Sequence, residues 1–229
     1  MSNILILTVV ILLILLIIYY YRYSAFNTES IEICGEKCSQ YNVHSEHKNQ
    51  ESAAVLMDKI VKKNDILLNH LRDKYIVKYN GMNPDKENRI DVIAAEPMND
   101  KYLIAERVNQ LLNKYDKDQI YEISPLNKSG ATSYTENKKI LILCLREKKK
   151  TDGIYKLHNV NDMMFVVLHE LAHMMNDKWG HRQEFWQLFK LLLQEGVECG
   201  VYTPQDYSKN PIIYCGMNIG YNPLYDNKI

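Results

Sequence analysis

Two histidines four residues apart, with a glutamate directly after the first, stand in His169-Glu170-Leu171-Ala172-His173, and a further histidine follows at His181. Side chains four apart share one face of a helix, so His169 and His173 can aim imidazole nitrogens at one point. That supplies two of the three protein ligands a catalytic zinc takes, and His181 is the candidate third. Glu170 lies at the edge of the same face, where it can act on water beside the metal rather than bind the metal. The chemistry implied is hydrolysis assisted by one zinc ion. Glu170 takes a proton from water as general base and passes it to the leaving amine as general acid.

Peptide-bond hydrolysis also needs a donor for the developing oxyanion. Tyr214, Tyr207 and His158 are candidates for it, and each also reads as a structural residue.

Periodicity gives the elements that must position these groups. Met163, Met164, Val166, Val167, Leu168, Leu171 and Ala172 put the motif on a packed helix, which Asn159 or Asn161 can cap. Gly180 lets the chain turn and bring His181 back from outside that helix. The last helix spans 182–195, with Phe185, Trp186, Phe189, Leu192 and Leu193 as its apolar face and Gly196 as its stop. Trp179, Phe185 and Trp186 read as core aromatics that lock the histidine loop to this helix. Met174 and Met175 fill the core, and Met217 reads as a packing residue rather than a methionine beneath the metal.

Upstream, the apolar spacing predicts helices over 51–75 and 101–115, the second capped by Asp100. It also predicts a turn over 81–88, strands over 89–95 and 119–124, and loops over 127–131 and 151–159. The run KILILCLR over 139–146 reads as a buried strand. Lys148, Lys149 and Lys150 read as a solvated loop. Beyond Val201 the chain is loop-like but carries Tyr202, Tyr207, Tyr214 and Tyr221, a tail expected to pack back on the domain. The expected fold class is α+β, a small mixed sheet with an active-site helix, over residues 51–229.

Lysine plus arginine total 28 and aspartate plus glutamate total 28, so the net charge is zero and nothing indicates a nucleic-acid partner. The five cysteines (Cys34, Cys38, Cys144, Cys199 and Cys215) are odd in number and irregularly spaced, which reads as reduced thiols. A Cys34–Cys38 disulfide or a zinc site there has no support in that spacing.

Residues 3–21 contain no charged side chain, and residues 4–18 are aliphatic apart from Thr8. As a helix, about 18 residues span roughly 27 Å, close to the hydrocarbon thickness of a bilayer. Tyr19, Tyr20, Tyr21 and Tyr23 would form an interfacial belt beside Arg22. A cleaved signal peptide competes, but a charged n-region and a small-residue cleavage site are missing. The expectation is a single-pass anchor over 1–21 and a polar linker over 22–50, with His44 and His47 as mobile surface histidines. Arg22 and the reduced thiols point the domain toward the cytoplasm.

The stretch LHELAHMMNDKWGHRQEFW resembles the metal-binding core of the WLM-type zinc metalloproteases and their SprT-like relatives. These combine HExxH, a third histidine several residues on, and an aromatic pair inside the next helix. The resemblance extends from about residue 131 to residue 221. It implies a zincin-like fold with His169, His173 and His181 as zinc ligands and Glu170 as the catalytic glutamate. It also implies a substrate strand lying along a sheet edge near the active-site helix. WLM proteases are associated with proteins crosslinked to DNA and with ubiquitin-like modifiers. The apolar N-terminus, the zero net charge and the lack of a DNA-binding tail depart from that setting, so the chemistry carries over and the substrate does not.

The function expected is that of a membrane-anchored, zinc-dependent metallopeptidase acting on a protein or peptide. The alternative is a catalytically inactive scaffold of the same fold serving as a membrane structural or interaction protein. A zinc hydrolase of some other substrate fits the aromatic tail less well, since such a tail suits polymer recognition.

Overall fold

Ile140-Leu141-Ile142-Leu143, a run of four large aliphatic residues, suits a strand covered on both faces, and around it the rest of the chain assembles. The structure, a computed structural model, describes residues 2–25, 27–34, 38–77, 101–125 and 132–229. In chain order the elements begin with helix α1 (Ser2–Ala25), strands β1 (Thr28–Cys34) and β2 (Cys38–His44), and helix α2 (Gln50–Leu71), which runs into a π-helical turn (Arg72–Val77). Helix α3 (Lys101–Lys114) and strands β3 (Ile120–Glu122), β4 (Tyr134–Glu136), β5 (Ile140–Leu143), β6 (Arg146–Thr151) and β7 (Ile154–Leu157) follow. Helices α4 (Val160–Met175) and α5 (Gln183–Glu198) and strands β8 (Ile212–Tyr214) and β9 (Met217–Ile219) complete the chain.

Five strands form one mixed sheet in the order β1-β2-β3-β5-β4. The β1–β2 and β4–β5 pairs are antiparallel, while β2–β3 and β3–β5 are parallel. Leu141, Ile142 and Leu143 are fully buried, as the apolar run predicts. The core continues through Met57, Ile60 and Leu67 of α2, Val108 and Leu111 of α3, and the apolar faces of α4 and α5. The helices predicted over 51–75 and 101–115 and the strand over 119–124 all form, the strand shortened to β3. The turn over 81–88, the strand over 89–95, the Asp100 cap and the loop over 127–131 lie outside the described residues.

Several expectations are corrected. Among the described residues no helix is long and apolar enough to cross a membrane. This overturns the fold class of a domain behind a transmembrane anchor, and with it the single-pass placement facing the cytoplasm.

The stretch 22–50 is not a linker, because it supplies β1 and β2. His44 and His47 are accordingly buried and stacked on each other with ring centroids 4.7 Å apart. Glu122 and Arg146, both buried, hold this corner together. Arg146 Nε donates to Glu122 Oε1 at 2.7 Å, and Glu122 Oε2 accepts from the His44 N–H at 2.8 Å. Breaking one side of such a pair leaves an uncompensated buried charge. Lys148, Lys149 and Lys150 lie on a hairpin strand, β6, rather than in a loop.

The cysteines are not all reduced either: Cys34 pairs with Cys38 and Cys144 with Cys215, leaving Cys199 free. The first disulfide staples the β1–β2 hairpin, where the two residues face each other in register. Irregular spacing along the chain could not reveal the second, whose halves are 71 residues apart. Gly196 does not stop α5. A Cβ there would sit 3.2 Å from Leu168 Cδ1, so its bare backbone lets α5 approach α4. The helix ends at Cys199 instead, with Gly200 in the left-handed conformation that follows many helices.

Closing a loop of this length removes enough unfolded-chain entropy that opening Cys144–Cys215 should cost about 4 kcal/mol. Urea unfolding of Cys215→Ser against the wild type, both in a Cys34→Ser/Cys38→Ser background, measures it.

Glu195 binds α5 to α2 and the turn after it: its carboxylate accepts from Tyr75 Oη at 2.6 Å, His70 Nε2 at 2.7 Å and Lys74 Nζ at 2.9 Å. Burial alone would raise its pKa, but these hydrogen bonds outweigh burial and hold the carboxyl below its ordinary value. A depressed carboxyl contributes stability that is fully present above the unfolded value near 4.3 and is lost as pH falls through the folded one. Glu195→Gln should therefore lower the unfolding midpoint at pH 7 and flatten its decline below about pH 4.5, as followed by denaturation across pH.

Candidate metal centre

Helix α4 begins at Asn159, whose Oδ1 accepts from the Asp162 N–H at 2.9 Å, and it is packed along most of its length. Met163, Met164, Val167, Leu168, Leu171, Ala172, Met174 and Met175 are all completely inaccessible. The face that remains carries Val166, His169, Glu170 and His173 into a cleft of about 520 Å³. After Met175 the chain leaves the helix, turns at Gly180 (φ +80°) and brings His181 back over it, as predicted.

The three imidazoles converge. His181 Nε2 lies 3.0 Å from His169 Nε2 and 3.2 Å from His173 Nε2. Nitrogens bound at about 2.0–2.1 Å in a tetrahedral zinc site stand roughly 3.3–3.4 Å apart, so the spacing fits a shared cation. A single proton can bridge only one pair of ring nitrogens, which leaves lone pairs directed at one another unless a cation lies among them. Phe185 holds the cluster from below, stacked on His173 at 4.3 Å and edge-on to His169 at 4.8 Å and to His181 at 4.6 Å.

Electrostatics agree with this fit. Burial, reinforced by the neighbouring imidazoles, pushes His169 down to about 3. Burial, then His181 and Lys138, takes His173 to about 4, and burial lowers His181 as well. All three are therefore neutral, the form that donates a lone pair to a metal. Burial pushes Glu170 up to about 8 against the pull of the Thr135 N–H on its carboxylate. A divalent cation beside it favours the ionised form that a general base requires.

Strand β4 forms one wall of the cleft with Tyr134 and Thr135, and β9 the other with Met217, Asn218 and Ile219. Met217 is thus exposed in the cleft rather than packed. Phe185 is buried as expected and Trp186 half-buried, but Trp179 is 71% exposed, with Lys138 Nζ 5.0 Å from its ring centroid. None of the three oxyanion candidates lines the cleft. The hydroxyl of Tyr214 shares a hydrogen bond with Ser133 Oγ, Tyr207 Oη donates to Asp162, and His158 Nε2 accepts from the Cys215 N–H. All three are structural. Tyr202, Tyr207 and Tyr214 are buried, so the aromatic tail does pack back on the domain.

Sequence reasoning missed Arg107, which is 8% exposed at its side chain and lies on α3. Its guanidinium donates to Asp177 in the ligand loop and, at 2.7 Å, to Glu184 in the first turn of α5. An arginine on an amphipathic helix reads as solvated. Only the packing of α3 against α4 reveals what it joins.

Among known proteins the chain is similar to uncharacterized viral proteins. It is 41% identical over 87 residues to uncharacterized protein 136R of Invertebrate iridescent virus 6, covering 38% of this chain and 46% of that one. To uncharacterized protein R325 of Acanthamoeba polyphaga mimivirus it is 34% identical over 113 residues, 49% of this chain and 54% of the relative. To uncharacterized protein 042R of Invertebrate iridescent virus 3 it is 38% identical over 86 residues, 37% and 50% of the two chains. The chain thus spans about half the length of each of these relatives. No protein-family model matches it, and no solved structure does.

Proposed function

We propose that the chain is a zinc-dependent metallopeptidase of the HExxH type, with His169, His173 and His181 holding one zinc ion. The observation that carries this reading is the convergence of three neutral imidazole nitrogens beside a buried carboxyl in one cleft. Zinc bound there supplies Lewis acidity for attack of water on a carbonyl.

The rest is the work of the chain's own groups. Glu170 accepts the proton of the attacking water at a carboxylate oxygen and delivers it to the leaving nitrogen. The N–H of Thr135 on strand β4 favours the ionised form of that carboxyl against its burial. Phe185 and the apolar sides of α4 and α5 cover one side of the imidazoles and bury Glu170, so charge that develops beside the carboxyl is weakly screened. The two walls, β4 and β9, leave a slot that suits an extended peptide. The resemblance to WLM and SprT-like proteases supports the same chemistry and is itself part of the proposal.

Metal analysis of the purified full chain should find about one zinc per chain in the wild type and in Glu170→Gln, and none in His173→Ala. Hydrolysis of a denatured protein substrate should fall by about 10²–10⁴-fold in Glu170→Gln. Absence of zinc from the wild type sinks the reading. Zinc retained with no hydrolysis by either form selects the inactive scaffold instead.

A further inference from the structure

We infer that Lys138 is a positioning residue for the third metal ligand, holding the loop that presents His181; this rests on the metal site proposed above. Lys138 lies in the tight turn that joins β4 to β5, which is closed by the Lys139 N–H donating to Glu136 O at 3.1 Å. From there its ammonium group reaches across to the end of α4. It donates to three successive carbonyls, Asn176 O at 2.5 Å, Asp177 O at 2.8 Å and Lys178 O at 3.2 Å. The ring of Trp179, the next residue, lies over the same ammonium. One side chain therefore gathers the backbone of 176–178 and the side chain of 179, immediately before the Gly180 turn and His181.

Three donors on one tetrahedral ammonium suit this task. The carbonyls belong to the C-terminal end of α4 and the residues just past it, where a cation is favoured by the helix dipole and no intrahelical N–H is available. The backbone at Lys138 adds an independent argument. Asn137 and Lys138 have φ of +52° and +55°, the left-handed conformation that glycine adopts most readily. A long side chain there carries a conformational cost that glycine would not. The contacts of Lys138 supply what glycine could not: they fix the loop.

The same turn follows directly on β4, whose Thr135 lines the cleft with Glu170 and His181. Arg107 anchors the other side of the loop through Asp177, so the backbone is held from the hairpin and one carboxylate from α3. Lys114 is engaged elsewhere, with Met174 O at 3.1 Å, inside α4.

The test compares the full-length wild type with Lys138→Asn, since asparagine accepts the left-handed backbone, and with Lys138→Arg and His181→Ala. Zinc affinity is measured by competition with a chelator, and coordination by the visible spectrum of the cobalt(II)-loaded protein. Lys138→Asn should bind zinc about 10–100-fold more weakly. Its cobalt band should shift toward that of His181→Ala, and Lys138→Arg should recover part of both. Should Lys138→Asn fail to fold, Lys138→Gln, which keeps most of the stem, carries the same expectation. A merely structural cap would lower the thermal midpoint and leave affinity and spectrum unchanged. A folded neutral variant with wild-type zinc affinity and cobalt spectrum overturns the inference alone. A wild type that binds no zinc overturns the metal site and the inference with it.

Discussion

Desolvation of three titratable groups on one packed helix is the constraint on which the structure depends. Placing His169, Glu170 and His173 on α4, under His181 and against Phe185, takes them from water and leaves them with few protein partners. Imidazoles crowded in this way must be neutral, and a carboxyl so buried resists ionisation. Either tendency alone would be a poor use of a core helix. Together they leave lone pairs and a proton acceptor that a bound cation would bring into balance.

The surrounding packing follows from keeping that arrangement narrow. Asn159 and the Tyr207–Asp162 hydrogen bond fix the start of α4, and Arg107, Lys114 and Lys138 engage its end and the loop beyond. Gly196 lets α5 close on Leu168, which brings Phe185 and Phe189 beneath the histidines. The Cys144–Cys215 bridge ties the β8–β9 hairpin to the end of β5, so β9 becomes the far wall of the cleft.

What the sequence made legible was local. Spacing of four put His169 and His173 on one face, apolar density buried α4, and a single glycine allowed the return to His181. Each needs only the geometry of one helix or turn. What it concealed was set by partners distant in the chain. The polar stretch before α2 carries only the short alternations Ile31, Ile33 and Tyr41, Val43, yet it pairs as β1 and β2, with β2 lying beside β3. His44 and His47 are buried by that pairing and not by their neighbours in sequence. Cys144 and Cys215, Arg107 with Asp177, and the outward placement of Trp179 depend likewise on which elements meet. A uniformly apolar run gave a membrane-span argument at the N-terminus, yet among the described residues no helix is long and apolar enough to cross a membrane.

Mechanically, α4 is a beam clamped at both ends, and β4 belongs to the main sheet through β5. The opposite wall is of another kind. Strand β9 pairs only with β8 in a two-stranded unit, joined to the sheet by a covalent pin at Cys215 and by the Tyr214–Ser133 hydrogen bond. Stiffness is therefore unequal across the slot: the side bearing His169, Glu170 and His173 is built into the main sheet and the core, and the C-terminal hairpin, held at its pin, is the more compliant wall.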